Sequence, residues 1–132
     1  MAITRANLAV TWNTGSGTHS LTAAVSFSSD AHSLDATCIN AQVTVNCDNG
    51  GSPAAGDVCD VYLLQTASTG NYDSADILHP VFLGRLDTNT TDPATGTFLL
   101  PLPQANFKVR CVSGAASNVF TLSANVTEQR SA

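Results

Sequence analysis

The sequence predicts an all-β fold, an antiparallel β-sandwich of jelly-roll-like or immunoglobulin-like type with about eight strands. Three observations predict it. Apolar residues recur at every second position through most of the chain. Clusters of Gly, Asn, Asp, Ser and Pro interrupt the alternation at short intervals. No window of useful length carries the three-to-four spacing of an amphipathic helix.

The elements follow in order. Leu8, Val10 and Trp12 alternate with Asn7, Ala9 and Thr11, and Asn13-Thr14-Gly15-Ser16-Gly17 ends the run. Leu21, Ala23, Val25 and Phe27 alternate with Ser20, Thr22, Ala24 and Ser26. The two runs read as an N-terminal hairpin with one buried and one polar face. Ser28 to Ser33 is loop-like. Ile39, Ala41, Val43, Val45 and Cys47 alternate with polar residues and stop at Asp48-Asn49-Gly50-Gly51-Ser52-Pro53. Val58 to Leu64 is more continuously apolar, as a central strand covered on both faces would be. Val81 to Leu86 is a short strand. Thr97 to Leu102 is extended beside Pro101 and Pro103, which suits an edge or a strand end. Phe107, Val109 and Cys111 form the next alternating run, and Phe120, Leu122, Ala124 and Val126 the last. Residues 1–132 read as a single β-sandwich domain, with 1–6 and 128–132 as flexible or partner-bound arms.

Composition narrows the function. Charged residues make up 11% of the chain and the formal net charge is -5. The single lysine, Lys108, and four arginines are scattered, so no basic stripe offers itself to nucleic acid or to an anionic membrane. No stretch approaches the ~20 apolar residues of a membrane helix. The opening residues lack a charged segment followed by an apolar one, so the expected product is soluble and made in the cytoplasm.

The residue patterns of known chemistry are missing. No Gly-x-Ser-x-Gly elbow accompanies His19, His32 and His79. Asp57 and Asp60, three apart on a strand, point to opposite faces and make a poor acid–base pair. Asp48-Asn49-Gly50 and the Asp73/Asp76 pair do not fit a calcium loop. No phosphate-cradling loop occurs. Asn89-Thr90-Thr91 and Asn125-Val126-Thr127 match glycosylation acceptors only formally, given no secretory signal. The expectation is no enzyme, no cofactor, no metal and no small-molecule substrate.

Cys38, Cys47, Cys59 and Cys111 are even in number, which admits a disulfide or thiol reading with three pairings. The cytoplasmic expectation favours buried thiols. Their separations exclude a close C-x-x-C pair and disfavour zinc. Trp12, Phe27, Phe107 and Phe120 fall on apolar faces and read as core. Tyr72 differs: it stands in the longest irregular segment, between Asn71 and Asp73. With Asp73, His79 and Phe82 it forms the candidate partner contact.

The run Cys47-Asp48-Asn49-Gly50-Gly51-Ser52-Pro53-Ala54-Ala55-Gly56-Asp57-Val58 leads into Asp60-Val61-Tyr62-Leu63-Leu64. With Phe82-Leu83-Gly84-Arg85-Leu86-Asp87, Thr91-Asp92-Pro93, Phe107-Lys108-Val109-Arg110 and Ser123-Ala124-Asn125-Val126-Thr127-Glu128-Gln129, it resembles small virion structural proteins of tailed bacteriophages, of the capsid decoration (cement) type. The resemblance covers about residues 40 to 130 and rests on turn and strand patterns. It implies a virion location on the head surface, with the major capsid protein and copies of itself as partners, commonly as a trimer. It brings no catalytic residues. A tail-tube, tail-tip or head–tail joining protein is the alternative, and a carbohydrate-binding sandwich or adhesin centred on Asn71, Tyr72 and Asp73 a further one.

Overall fold

A computed structural model describes residues 2–65, 80–100 and 106–131. They form ten strands: β1 (Ile3–Val10), β2 (His19–Leu21), β3 (Ser26–Ser28), β4 (His32–Ser33), β5 (Cys38–Asn49), β6 (Val58–Gln65), β7 (Val81–Asp87), β8 (Ala94–Leu99), β9 (Asn106–Ser113) and β10 (Phe120–Ser131). Two antiparallel sheets pack face to face. One has the order β1-β10-β5-β8, with β2 also pairing β10. The other has the order β3-β9-β6-β7, with β4 also pairing β9. Among the described residues there is no helix. The all-β sandwich expected from period two is what these residues build.

The alternation fixes the inner face. Ala41, Val43, Val45 and Cys47 of β5 are at most 2% exposed, and so are Leu122 and Val126 of β10. Cys59, Val61 and Leu63 of β6 and Phe107, Val109 and Cys111 of β9 answer them from the second sheet. Trp12, Phe107 and Phe120 are the bulkiest fully buried side chains. Each buried Phe of this kind contributes roughly 1.5–3 kcal/mol by leaving water. The expected core aromatics are therefore in the core, with Phe27 packed against it and partly buried.

The N-terminal hairpin does not form. β1 pairs with β10 along its whole length, from Ile3 opposite Ser131 to Val10 opposite Ala124. The run Leu21–Phe27 is broken by a turn in which Ala24 takes φ 58°, so β2 stays in the first sheet and β3 crosses to the second. Period two is blind to which sheet a strand joins, and a short turn without Gly or Pro gave no signal. That break adds one strand to the expected eight, and β4, in the Ser28–Ser33 segment expected as a loop, adds the other by pairing with β9. The stretches 3–6 and 128–131, expected as arms, lie opposite one another in the β1–β10 ladder.

The turn after β1 is held by one carboxylate. Asn13 and Thr14 both have positive φ, 47° and 60°. A β-branched residue in that region is strained, so something must over-determine it. Asp30 supplies the hold: it accepts from the Thr14 N–H at 2.9 Å, the Gly15 N–H at 2.8 Å and the Thr11 hydroxyl at 2.8 Å.

At one lateral edge the two sheets meet where Phe98 leans on two glycines. A Cβ on Gly84 would stand 2.5 Å from its ring, and a Cβ on Gly96 2.7 Å from it. Glycine is required at both positions for the ring to close that edge.

Candidate functional site

The only sequence-predicted contact residue within the described chain, Phe82, lies at the rim of the second sheet. Its strand, β7, is the last of that sheet's order, so one side of it has no hydrogen-bonded strand partner among the described residues. Tyr72, Asp73 and His79 lie outside the described residues. Phe82 is 55% exposed. A bulge places it: Val61 pairs with Gly84 and Tyr62 with Phe82, so Leu83 is the extra residue.

Tyr62 joins Phe82 on the outer face. Its neighbours Val61 and Leu63 point into the core, which turns Tyr62 outward. The two rings are 5.4 Å apart and tilted by 59°, a favourable edge-to-face geometry. In the next row Arg85 holds Asp60 with both nitrogens of one fork, at 2.7 and 3.0 Å. On the other flank of Tyr62 stands Arg110, its cross-strand partner, which donates to the Ser26 hydroxyl at 2.8 Å. The result is an exposed Phe82 backed by a half-buried Tyr62, framed by two hydrogen-bonded guanidinium groups. Aromatic and arginine side chains are the ones that most often anchor protein contacts. The apolar run of β6 reads as a strand covered on both faces, and that reading passes over Tyr62. The alternation of Asp60 and Tyr62 with Cys59, Val61 and Leu63 was the signal that could have found it.

The outer face of the first sheet has a different chemistry. It is a field of uncharged amides and hydroxyls tied across strands: Thr44 with Thr97 at 2.9 Å, Thr95 to Asn46 at 2.8 Å, Thr127 to Asn7 at 3.2 Å and Asn40 to Gln129 at 3.4 Å. A shallow groove of about 390 Å³ crosses it beside Arg5, Asn7, Gln42 and Gln129. Such a surface can hydrogen-bond a polar partner without committing to either sign of charge.

Buried polar knots hold the loops at one end of the sandwich. Asp57, 3% exposed, accepts from Asn49 at 3.0 Å, Asn118 at 2.8 Å and the Ala54 N–H at 3.0 Å. Thr88, 1% exposed, accepts from Asn49 at 3.0 Å and donates to the Asp57 carbonyl at 2.8 Å. Asp57 thereby ties three loops, two through its carboxylate and the Thr88 loop through its backbone carbonyl. The Asn118 amide, first among these donors, holds the Asp57 pKa below the ordinary carboxylate value. At the opposite end Glu128, fully buried, accepts from the Asp35 N–H at 2.8 Å and pairs with Arg130. His32 lies near it, against Phe107, and burial lowers its pKa.

All four cysteines are thiols in the structure: Cys47, Cys59 and Cys111 in the core, and Cys38 half-buried. The three core thiols touch in a chain, Cys47 to Cys59 and Cys59 to Cys111. Their hydrogen bonds to Cys59, together with burial, push Cys47 and Cys111 up. The same bonds, that from Cys111 first, draw Cys59 down to about 5.

No protein-family model matches the chain, and no curated protein sequence matches it. Solved structures do. The crystal structure of FLHE is similar over 100% of both chains, with a TM-score of 0.50 and 14% identity. A capsid structure of the Helicobacter pylori bacteriophage KHP30, described as acidic stable, is similar over 96% of this chain and 93% of that one, with a TM-score of 0.40 and 16% identity. A Bacillus endospore appendage protein, from a family of disulfide-linked pili, is similar over 98% and 89%, with a TM-score of 0.38 and 11% identity. At these identities what is shared with FLHE is the fold, a two-sheet β-sandwich.

Proposed function

We propose that this chain is a non-enzymatic structural component of a tailed-phage particle, a decoration protein that binds the outer surface of the head and stabilises it. The observation that carries the reading is Phe82, exposed on the rim and braced by the half-buried Tyr62, on a sandwich whose loops are pinned by buried hydrogen bonds. A rigid frame with an exposed aromatic anchor suits a protein whose work is adhesion, because little side-chain freedom remains to be lost on binding. The resemblance of residues 40 to 130 to virion structural proteins supports the same reading. The partners are then the major capsid protein and further copies of the chain. A trimer would multiply modest single contacts through effective concentration. The net charge of -5 with a single lysine suits a surface that stays off packaged nucleic acid.

The test is loss and restoration. Heads assembled without the chain should burst at lower temperature or milder osmotic shock, and adding the purified protein should restore resistance. Unchanged resistance, with the chain located elsewhere by labelling, would defeat the reading. Native mass separates it from a tail-tube role, since a tube subunit is expected to form six-membered rings.

A further inference from the structure

The arch formed by β5 and β6 brings two cysteines onto the same rung. Asn49 and Asp57 touch across the sheets at 3.0 Å. One pleat inward from each, two residues along the strand, stand Cys47 and Cys59. Both are fully buried and both belong to the inner faces. The knot at Asn49, Asp57 and Thr88 fixes the register of the arch, and therefore the position of the rung beneath it. Cys111 lies on β9 beside β6, where it pairs with Val61 while Cys59 pairs with Ser113. It is thus a diagonal neighbour of Cys59 within one sheet, and Cys47 is the neighbour from the other.

We propose that Cys47 and Cys59 are an oxidation site that closes into a disulfide joining the two sheets, with Cys111 left as the third, free thiol. The oxidant is a small-molecule disulfide such as oxidised glutathione. The Cys59 thiolate attacks one of its sulfurs, forming a mixed disulfide and releasing one glutathione thiolate. The Cys47 thiolate then attacks the Cys59 sulfur, closing the Cys47–Cys59 bond and releasing the second. Two protein thiols are oxidised, one small disulfide is reduced to two thiols, and the two protons pass to the released thiolates. Burial of both sulfurs confines the reaction to folding or to a transient opening of the arch. Once closed, the bond ties the sheets covalently at the rung where the polar knot already ties them. The inference stands apart from any role in a particle.

The experiment refolds the reduced full-length chain in a buffer of oxidised and reduced glutathione. Free thiols should fall from the four of the sequence to two, and a peptide map should join the Cys47 peptide to that of Cys59. The melting temperature should rise by roughly 10 °C over the reduced chain, as expected for closing a short loop. Cys59→Ala should lose the shift, and Cys111→Ala should keep it. The map and thiol count on the unaltered chain stand even if a variant folds poorly. Four free thiols after refolding, or a map joining Cys59 to Cys111 or either to Cys38, would overturn the proposal.

Discussion

Tyr62 and Phe82 face one another across the β6–β7 pair, their ring centres 5.4 Å apart and their planes 59° apart, with Phe82 more than half exposed. An edge-to-face pair is preorganised, so a partner meets a fixed shape. The first prediction is that Phe82→Ala leaves thermal unfolding within about 0.5 kcal/mol of the parent, as an exposed substitution should. The same change should weaken binding to the head by tenfold or more, the cost of removing a contact anchor. Titration of the purified variant onto heads lacking the protein measures both the loss and its size.

A second prediction concerns the closed edge of the sandwich. Gly84→Ala would set a methyl group 2.5 Å from the Phe98 ring, which packs over the bare backbone of Gly96 on its own strand. Overpacking of this kind costs about 1–3 kcal/mol. Adding Phe98→Leu should recover part of the loss, so the two changes should prove non-additive in denaturant unfolding.

The third prediction isolates a hydroxyl. Thr88→Val keeps the shape and removes the group that accepts from Asn49 and donates to the Asp57 carbonyl. It should destabilise by about 1–3 kcal/mol, because buried partners are left short of a bond. A urea midpoint unchanged within error would show that the knot does not hold the loops.

Acid should weaken the fold in two stages. His32 and His19 have their pKa lowered by burial, with Glu128 opposing the shift at His32. The unfolded chain therefore takes up protons first, and stability falls as pH drops below the ordinary histidine value of 6.5. Asp57, Asp30 and Asp35 have lowered pKa values, held chiefly by Asn118, Thr14 and Thr37 respectively. Their contribution is complete above the ordinary value of 3.8 and is lost as pH falls through the lower folded values. Urea midpoints measured from pH 8 to pH 2 should show both declines. Asp57→Asn should shrink the second and leave the first in place.

Much of the fold was legible because one physical signal wrote it. Alternation in β5, β9 and β10 marks inner and outer faces directly; β8 is an edge strand, but it begins at Ala94, inside the segment expected as a loop, and ends at Leu99, before Pro101 and Pro103. What alternation cannot carry is partnership. The β1 strand seeks β10 at the far end of the chain, and nothing local in Leu8, Val10 and Trp12 distinguishes that from a hairpin. The break between β2 and β3 turns on Ala24, a residue with no turn signature. For the site, Phe82 could be read as exposed from its loop-side position. The alternation within β6 marks Tyr62 as outward-facing, but its pairing with Phe82 depends on the bulge at Leu83, which sets the two rings in one row. The meeting of Cys47 with Cys59 depends on the arch closing between Asn49 and Asp57, a contact between sheets that neither strand's pattern encodes.

The claim that this sandwich works through the surfaces it presents is tested most directly by imaging the intact particle at a resolution that places side chains. The account predicts the chain on the outside of the head, in many copies, with Tyr62 and Phe82 buried against a capsid subunit or a second copy. Particles whose heads lack the chain, or in which that aromatic pair faces open solvent while another surface makes every contact, would contradict it.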